Sequence, residues 1–230
     1  MAGLTVICGA TGALGSAIVG VFAGRGDQII AVARSRGEVS RLQDKYPGLV
    51  RGDTADLTSR LEVDELWERI DAIGPPNYLV NATGGFRPGK VVETTPDDFN
   101  FMINLNLSTA WWGCRAAARR MLAAGTSGAM VNVSSRSGVT SDGGAAAYSI
   151  AKAGVLKLTE VLATELKSSG VRVNAVIPSI IDTPANRKSM PEQLLEKAVS
   201  PAEIAQVIGF LCSDAASAIT GVAIPVYGRG

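Results

Sequence analysis

Short apolar runs alternate with longer segments of helical periodicity along the whole chain. That rhythm predicts a parallel sheet joined by crossover helices. Strands are expected at Leu4–Cys8, Ile29–Ala33, Leu49–Arg51, Tyr78–Asn81, Ala129–Val133, Val171–Ile177 and Val222–Val226. Continuous apolar runs of this kind suit strands covered on both faces. Helices are expected over 14–24, 36–45, 61–72, 96–124, 146–169 and 201–213. The predicted class is α/β: a doubly wound, seven-stranded parallel sheet flanked by helices.

Several boundaries carry their own chemistry. Thr95-Pro96-Asp97-Asp98 offers an N-cap, a first-turn proline and an acid at the third helical position. Ser200-Pro201-Ala202-Glu203 repeats the arrangement as a capping box. Gly170 stands where the preceding helix needs a left-handed cap. The stretch Pro178–Ser200 shows no clear element, and its place after the sixth strand favours a functional lid. With no repeat or linker in view, residues 1–230 are expected to form one domain.

Composition narrows the field. A chain of 230 residues with 47% hydrophobic and 19% charged positions can bury a core without staples. A net charge of +1 with no basic stripe argues against nucleic-acid or anionic-membrane partners. Cys8, Cys114 and Cys212 are odd in number and far apart, which fits a reducing cytoplasm better than a disulfide framework. The absence of histidine removes His-ligated zinc and Ser-His-Asp catalysis, and no metal site is expected. Any general acid or base must be Tyr, Lys, Asp, Glu or Cys. The apolar stretch Leu4–Ala23 lacks a basic leader and is broken by Gly9, Gly12, Gly15 and Gly20, so a strand, a turn and a helix explain it better than a signal peptide or membrane span.

Three motifs carry candidate chemistry. Gly9, Thr11, Gly12, Ala13, Leu14 and Gly15 follow the first strand and open a helix, the setting of a dinucleotide fingerprint. Their backbone can approach a pyrophosphate, which the helix N-terminus then stabilises. Tyr148 and Lys152 lie four apart on one helical face, where an ammonium would favour the phenolate. Ser134 and Ser135 end the fifth strand, where a hydroxyl can bind a substrate carbonyl and its developing oxyanion.

These residues resemble the short-chain dehydrogenase/reductase family, and the likeness spans essentially the whole chain. Cys8–Gly15 is similar to the family's T-G-x-x-x-G-x-G motif, with Cys8 for Thr and Ala13 for the middle Gly. Asn81-Ala82-Thr83-Gly84 is similar to its N-N-A-G segment. The resemblance implies a Rossmann fold with a dinucleotide half at about 1–90 and a catalytic half at about 91–230. It also implies a catalytic set of Asn106, Ser135, Tyr148 and Lys152, with Ser135 preferred to Ser134 because it stands thirteen positions before Tyr148. Further cofactor contacts are implied at Asn81, Ala82, Thr83, Gly84, Pro178, Ile181 and Thr183, and at Asp56-Leu57 for the adenine. Pro178-Ser179 departs from the family's Pro-Gly at that point.

Cofactor choice is read at the end of the second strand. NAD-preferring folds usually place an acid there, whereas this chain has Arg34-Ser35-Arg36 and no carboxylate before Glu38. Arg34, helped by Ser35, is expected to clamp a 2′-phosphate, so NADP(H) is preferred and NAD(H) remains possible. The expected partner is a small carbonyl or alcohol substrate, with Tyr148 as the proton donor or acceptor. Two alternatives stay open. One is an NADH-dependent enzyme like quinonoid dihydropteridine reductase, whose lid Asp182–Pro191 resembles and whose glycine pair before an aromatic is similar to Gly84-Gly85-Phe86. The other is a non-catalytic dinucleotide-sensing protein. The resemblance further implies a homodimer or homotetramer formed through the fourth and fifth predicted helices, with Trp111 or Trp112 at the contact.

Overall fold

The computed structural model describes residues 3–140 and 143–228. Seven parallel strands form one sheet: β1 Leu4–Cys8, β2 Gln28–Ala33, β3 Val50–Thr54, β4 Tyr78–Asn81, β5 Gly128–Val133, β6 Val171–Pro178 and β7 Ala223–Val226. Their order across the sheet is β3-β2-β1-β4-β5-β6-β7. This is the predicted Rossmann arrangement. The chain reverses direction across the sheet between β1 and β4, so the crevice at their carboxyl ends is where a ligand of such a fold sits.

Alternation along β1 shows why both faces are covered. Val6 and Cys8 point into one apolar cluster with Leu66, Trp67, Met121 and Leu158. Ile7 points the other way, among Ile18, Phe22, Ile204 and Ile208. Successive side chains of a strand face opposite sides, so a wholly apolar strand feeds two cores. The second core is closed by α1, Ala13–Gly24, packed with α9, Pro201–Leu211. The first is closed by α3, Arg60–Asp71, α5, Thr109–Ala124, and α6, Ala146–Leu166. Helix α2, Arg36–Lys45, packs beside β2 and β3.

Three expectations need correction. The third strand runs on through Gly52-Asp53-Thr54 rather than stopping at Arg51. It is an edge strand with one half-exposed side, so it keeps polar residues that a search for apolar runs overlooks. The helix expected over 96–124 is three pieces: α4, Pro96–Ile103, a π-helical turn, Asn104–Ser108, and α5. Asn106 explains the interruption, because its side-chain amide donates to the Met102 carbonyl at 3.1 Å. That carbonyl is the one a regular helix would pair with the Asn106 N–H. The stretch 178–200 holds two short helices, α7 at Pro184–Ser189 and α8 at Glu192–Leu195. Thr183 caps α7 by accepting from the Asn186 N–H at 3.1 Å, with Pro184 in the first turn.

The other boundary signals act as expected. Ser200 and Glu203 form both halves of a capping box at α9. Thr95 accepts from the Asp98 N–H at 3.1 Å at the start of α4. Gly170 adopts φ +71°, a left-handed conformation costly for a residue with a Cβ.

Candidate active site

The glycine turn after β1 is built for close approach. Gly9 has φ +78°, and a Cβ there would lie 2.9 Å from both the Ala82 carbonyl carbon and the Thr83 nitrogen beyond β4. Gly15 presses α1 onto the same turn, and a Cβ on it would stand 2.0 Å from the Gly9 oxygen. Gly12 differs: its nearest neighbour would be the Gly9 oxygen at 3.6 Å. It is the N-cap of α1 and offers no side chain to the helix's free N–H groups. Gly12 thus leaves space at the head of α1, where the free N–H groups of a helix N-terminus can receive an anion such as a diphosphate. Thr83 adds a buried hydroxyl with no hydrogen-bond partner beside it. Ala13 and Leu14 form the first helical turn, as the motif requires.

At the carboxyl end of β5 the second group of residues converges. Lys152 is buried, and its Nζ donates to the Val133 carbonyl at 2.9 Å. One turn earlier on α6 stands Tyr148, with the Ser135 side chain near enough to its hydroxyl to draw its pKa down. Ser135 also accepts from the Ser137 N–H at 3.3 Å, which opens a single 3₁₀ turn, Arg136–Gly138. That turn lies flush against α6, since a Cβ on Gly138 would stand 2.9 Å from the Lys152 carbonyl carbon. Ser134 faces away and donates to the Lys152 main-chain oxygen at 2.8 Å. The Ser134 hydroxyl is thus committed to the backbone of α6.

Electrostatics here depart from one expectation. Tyr148 was expected to be pulled towards the phenolate by the Lys152 charge. Burial instead pushes its pKa up, and the Ser135 side chain only partly opposes this. Burial also lowers Lys152 to about 8. Both shifts have one cause, the penalty on a charged group held out of water.

Asn106 ties the π-helical turn to the loop after β4. Its Oδ1 accepts from the Gly85 N–H at 3.2 Å and its Nδ2 donates to the Gly85 carbonyl at 3.0 Å. A Cβ on Gly84 would lie 2.8 Å from Asn106 Oδ1 and 3.2 Å from Lys152 Nζ, which places Asn106 and Lys152 on one side of that loop. Asn106, Ser135, Tyr148 and Lys152 are thus joined through Gly84-Gly85 and the tip of β5.

Some expected cofactor residues turn their side chains elsewhere. Asn81 donates to Asn132 Oδ1 at 2.8 Å and to Cys114 Sγ at 3.3 Å inside the core. Its Nδ2 is committed there, while its Oδ1 is buried without a hydrogen-bond partner. Leu57 is likewise packed into the core. Ala82 packs against the other core cluster. Asp56 accepts from the Thr58 hydroxyl at 2.7 Å, and these Thr58 bonds, aided by the Arg34 charge, hold its carboxyl below the usual range. Arg34 and Ser35 are exposed, with Ser35 as the N-cap of α2. Ile181 bridges to Val199, Thr183 is engaged in capping α7, and Pro178 closes β6. The Ser179 hydroxyl donates to the Tyr227 carbonyl at 2.9 Å, a bond that the family's glycine could not make.

Two contacts are not readable from the sequence. Glu38 accepts from the Thr11 hydroxyl at 3.0 Å, bringing a carboxylate from α2 to the glycine turn. No motif announces this pair, because the two residues are 27 positions apart. Phe86 meets Tyr148 edge to face, with centroids 5.2 Å apart. Among the described residues no group of three or more Cys, Asp or Glu side chains gathers as a metal cluster would.

A doubly wound sheet with a glycine cradle at its switch point and a Tyr-Lys helix beside it defines a class, the nicotinamide-dependent oxidoreductases. The comparisons carry it further. A family model described as enoyl-(acyl carrier protein) reductase matches residues 9–228. The chain belongs to the short-chain dehydrogenase/reductase family. It is 34% identical to a 3-oxoacyl-[acyl-carrier-protein] reductase of Thermotoga maritima, over 97% of this chain and 95% of that protein. It is 30% identical to a meso-2,3-butanediol dehydrogenase of Serratia marcescens, over 98% and 93%. A solved structure described as ElxO with NADP bound superposes with TM-score 0.93 at 26% identity, covering 99% of this chain and 98% of that one. The protein is therefore an oxidoreductase enzyme of this family.

Proposed function

We propose that the enzyme transfers hydride between NADP(H) and a small carbonyl or alcohol substrate, with Tyr148 exchanging the proton. The observation that carries this reading is the buried amine of Lys152, held at the tip of β5 by the Val133 carbonyl and 5.9 Å from the Tyr148 ring centroid, with Ser135 at the same strand end. When bound, the nicotinamide supplies or accepts the hydride. In the direction of reduction, Ser135 and Tyr148 hold the carbonyl oxygen, and Tyr148 gives it a proton as negative charge develops. Lys152 favours the resulting phenolate. Asn106 positions Gly84-Gly85 beside Lys152, which keeps the proton-exchanging side of the site in register.

The preference for the phosphorylated cofactor rests on Arg34, which is exposed just past β2 and close enough to Asp56 to lower its pKa. Gly9, Thr11, Gly12, Ala13, Leu14 and Gly15 hold the diphosphate, with main-chain contacts from Asn81, Ala82, Thr83 and Gly84. The NADP-bound relative supports the choice of cofactor class. One observation favours NADH instead, the Glu38 carboxylate at Thr11. It stands where it would oppose a 2′-phosphate and accept from a ribose hydroxyl.

Parallel titrations of the purified protein with NADPH and NADH, followed by a panel of carbonyl compounds, test the reading. Tighter NADPH binding that is lost in Arg34→Ala, with NADPH consumed by some carbonyl, supports it. Tighter NADH binding overturns the cofactor assignment and favours the dihydropteridine-reductase-like alternative. Binding without turnover favours the sensing alternative.

We further place the homodimer or homotetramer contact on α5 and α6. Trp111, Leu122, Val161 and Leu162 line a groove of about 240 Å³ there. Trp111 is half exposed, whereas Trp112 packs against the core. A cytoplasmic location fits the buried, unpaired Cys8, Cys114 and Cys212.

A further inference from the structure

Phe86 lies in a segment fixed at both ends. Upstream, Gly85 is held by two hydrogen bonds with Asn106, one given and one received, and a Cβ on it would stand 2.7 Å from Leu105 Cδ2. Downstream, Gly89 forms a bridge to the entry of α6, its N–H donating to Gly144 at 2.8 Å and its carbonyl accepting from the Ala146 N–H at 2.9 Å. Between them, Arg87 donates to Asp98 at 2.7 Å and lies 3.8 Å from the Phe101 ring centroid. The ring of Phe86 is therefore presented by a braced backbone rather than a loose loop.

Its surroundings are uneven. One edge contact is made with the Tyr148 ring, at an interplanar angle of 81°. Even so, Phe86 is 59% exposed. A lone exposed aromatic needs no explanation. This one is braced and touches the residue to which the proton exchange is assigned. On that reading, a carbonyl whose oxygen reaches the Tyr148 hydroxyl has its carbon substituents near the Tyr148 ring, and so within reach of the ring that packs against it. Aromatic faces favour flat partners in offset or edge contact over puckered ones, and a preset ring loses little entropy in binding them.

We propose that Phe86 is the substrate-selecting residue of the site, and that its exposed ring takes a flat aryl or unsaturated ring attached to the substrate carbonyl. This rests on the carbonyl-reductase reading above and names its substrate class. Phe86 acts on the substrate's ring, and the reacting atoms remain with Ser135 and Tyr148.

The test uses two ketones of equal carbon number, acetophenone and cyclohexyl methyl ketone, with saturating NADPH. The quantity read is the ratio of their kcat/KM values in wild type, Phe86→Ala, Phe86→Leu and Phe86→Tyr. Intrinsic reactivity differs between the ketones but cancels when the ratio is compared across variants. The proposal expects the ratio to fall about three- to tenfold in both Phe86→Ala and Phe86→Leu, chiefly through KM, and to recover in Phe86→Tyr. NADPH affinity and the thermal midpoint report whether each variant is folded. An unaltered ratio, or an equal fall for both ketones, overturns the proposal while leaving the carbonyl-reductase reading in place. Failure of the wild type to consume NADPH with any carbonyl overturns that reading and this one with it.

Discussion

Asn106 and Gly85 are joined twice, side-chain oxygen to main-chain N–H at 3.2 Å and side-chain nitrogen to main-chain carbonyl at 3.0 Å. Asn106 is 1% exposed, and both bonds are at least partly shielded from water. The same amide takes the Met102 carbonyl, which is why the helix opens at that point. One side chain thus sets a helix defect and the loop beside Lys152 together. Asn106→Ala leaves these main-chain groups unpaired, at a cost of about 1–3 kcal/mol for each that stays buried. We expect a lower thermal midpoint together with a lower kcat. Asn106→Asp keeps the acceptor for the Gly85 N–H and loses the donor. Normal turnover in Asn106→Ala, measured by NADPH consumption, would contradict the positioning role.

Gly12 and Gly15 predict opposite outcomes for the same substitution. A methyl at Gly15 runs into the Gly9 oxygen at 2.0 Å, whereas at Gly12 it meets nothing closer than 3.6 Å. Gly15→Ala should lower stability by about 3 kcal/mol or more, a drop of roughly 6–12 °C in Tm for a chain of this size. Gly12→Ala should keep its Tm but weaken cofactor binding, because the methyl occupies the open side of the cradle. Thermal melts and cofactor titrations on the pair check both halves.

The buried amine of Lys152 makes stability depend on pH. Its folded pKa, about 8, lies below the ordinary lysine value of 10.5. Between these two values the unfolded chain holds a proton that the folded one has released, so this group's contribution to stability rises with pH across that window. Below about pH 8 the folded protein carries the full penalty, up to about 3 kcal/mol. Lys152→Met removes it and should melt higher than wild type near pH 7, while losing activity. The advantage should shrink as pH climbs from 8 towards 10.5. A difference in Tm that stays constant across that range would contradict the burial argument.

Glu38 brings a negative charge to the glycine turn, while Arg34 stands just past the end of β2. Glu38→Gln removes the carboxylate that accepts from Thr11 and should tighten NADPH binding by about two- to fivefold, the scale of an exposed charge interaction. NADH binding should not gain in the same way. Equal changes for the two cofactors would show that Glu38 does not read the 2′ position.

Much of this site was legible because its signals are local. Strand, glycine turn and helix are contiguous between Leu4 and Gly24, and Tyr148 and Lys152 share one helical face. The apolar strands were found for the same reason, since burial on both faces leaves continuous runs. β3 was misjudged where it turns polar at an edge, and the break at Asn104–Ser108 was hidden because a side-chain-to-carbonyl bond leaves no pattern in hydropathy. The Thr183-Pro184 start of α7 carries the same signature as Thr95-Pro96, yet its helix is too short for a periodic stripe. The contacts of Glu38 with Thr11 and of Phe86 with Tyr148 depend on which loops the sheet brings together. Spacing alone cannot show that.

The central claim is that Tyr148 exchanges the proton while the cofactor is held by other parts of the chain. Single-turnover oxidation of bound NADPH by a carbonyl substrate, compared between wild type and Tyr148→Phe, tests it most directly. The account predicts that Tyr148→Phe binds NADPH within about twofold of wild type but oxidises it at least about a hundredfold more slowly, the scale of a lost general acid. Oxidation at the wild-type rate in that variant would contradict the account.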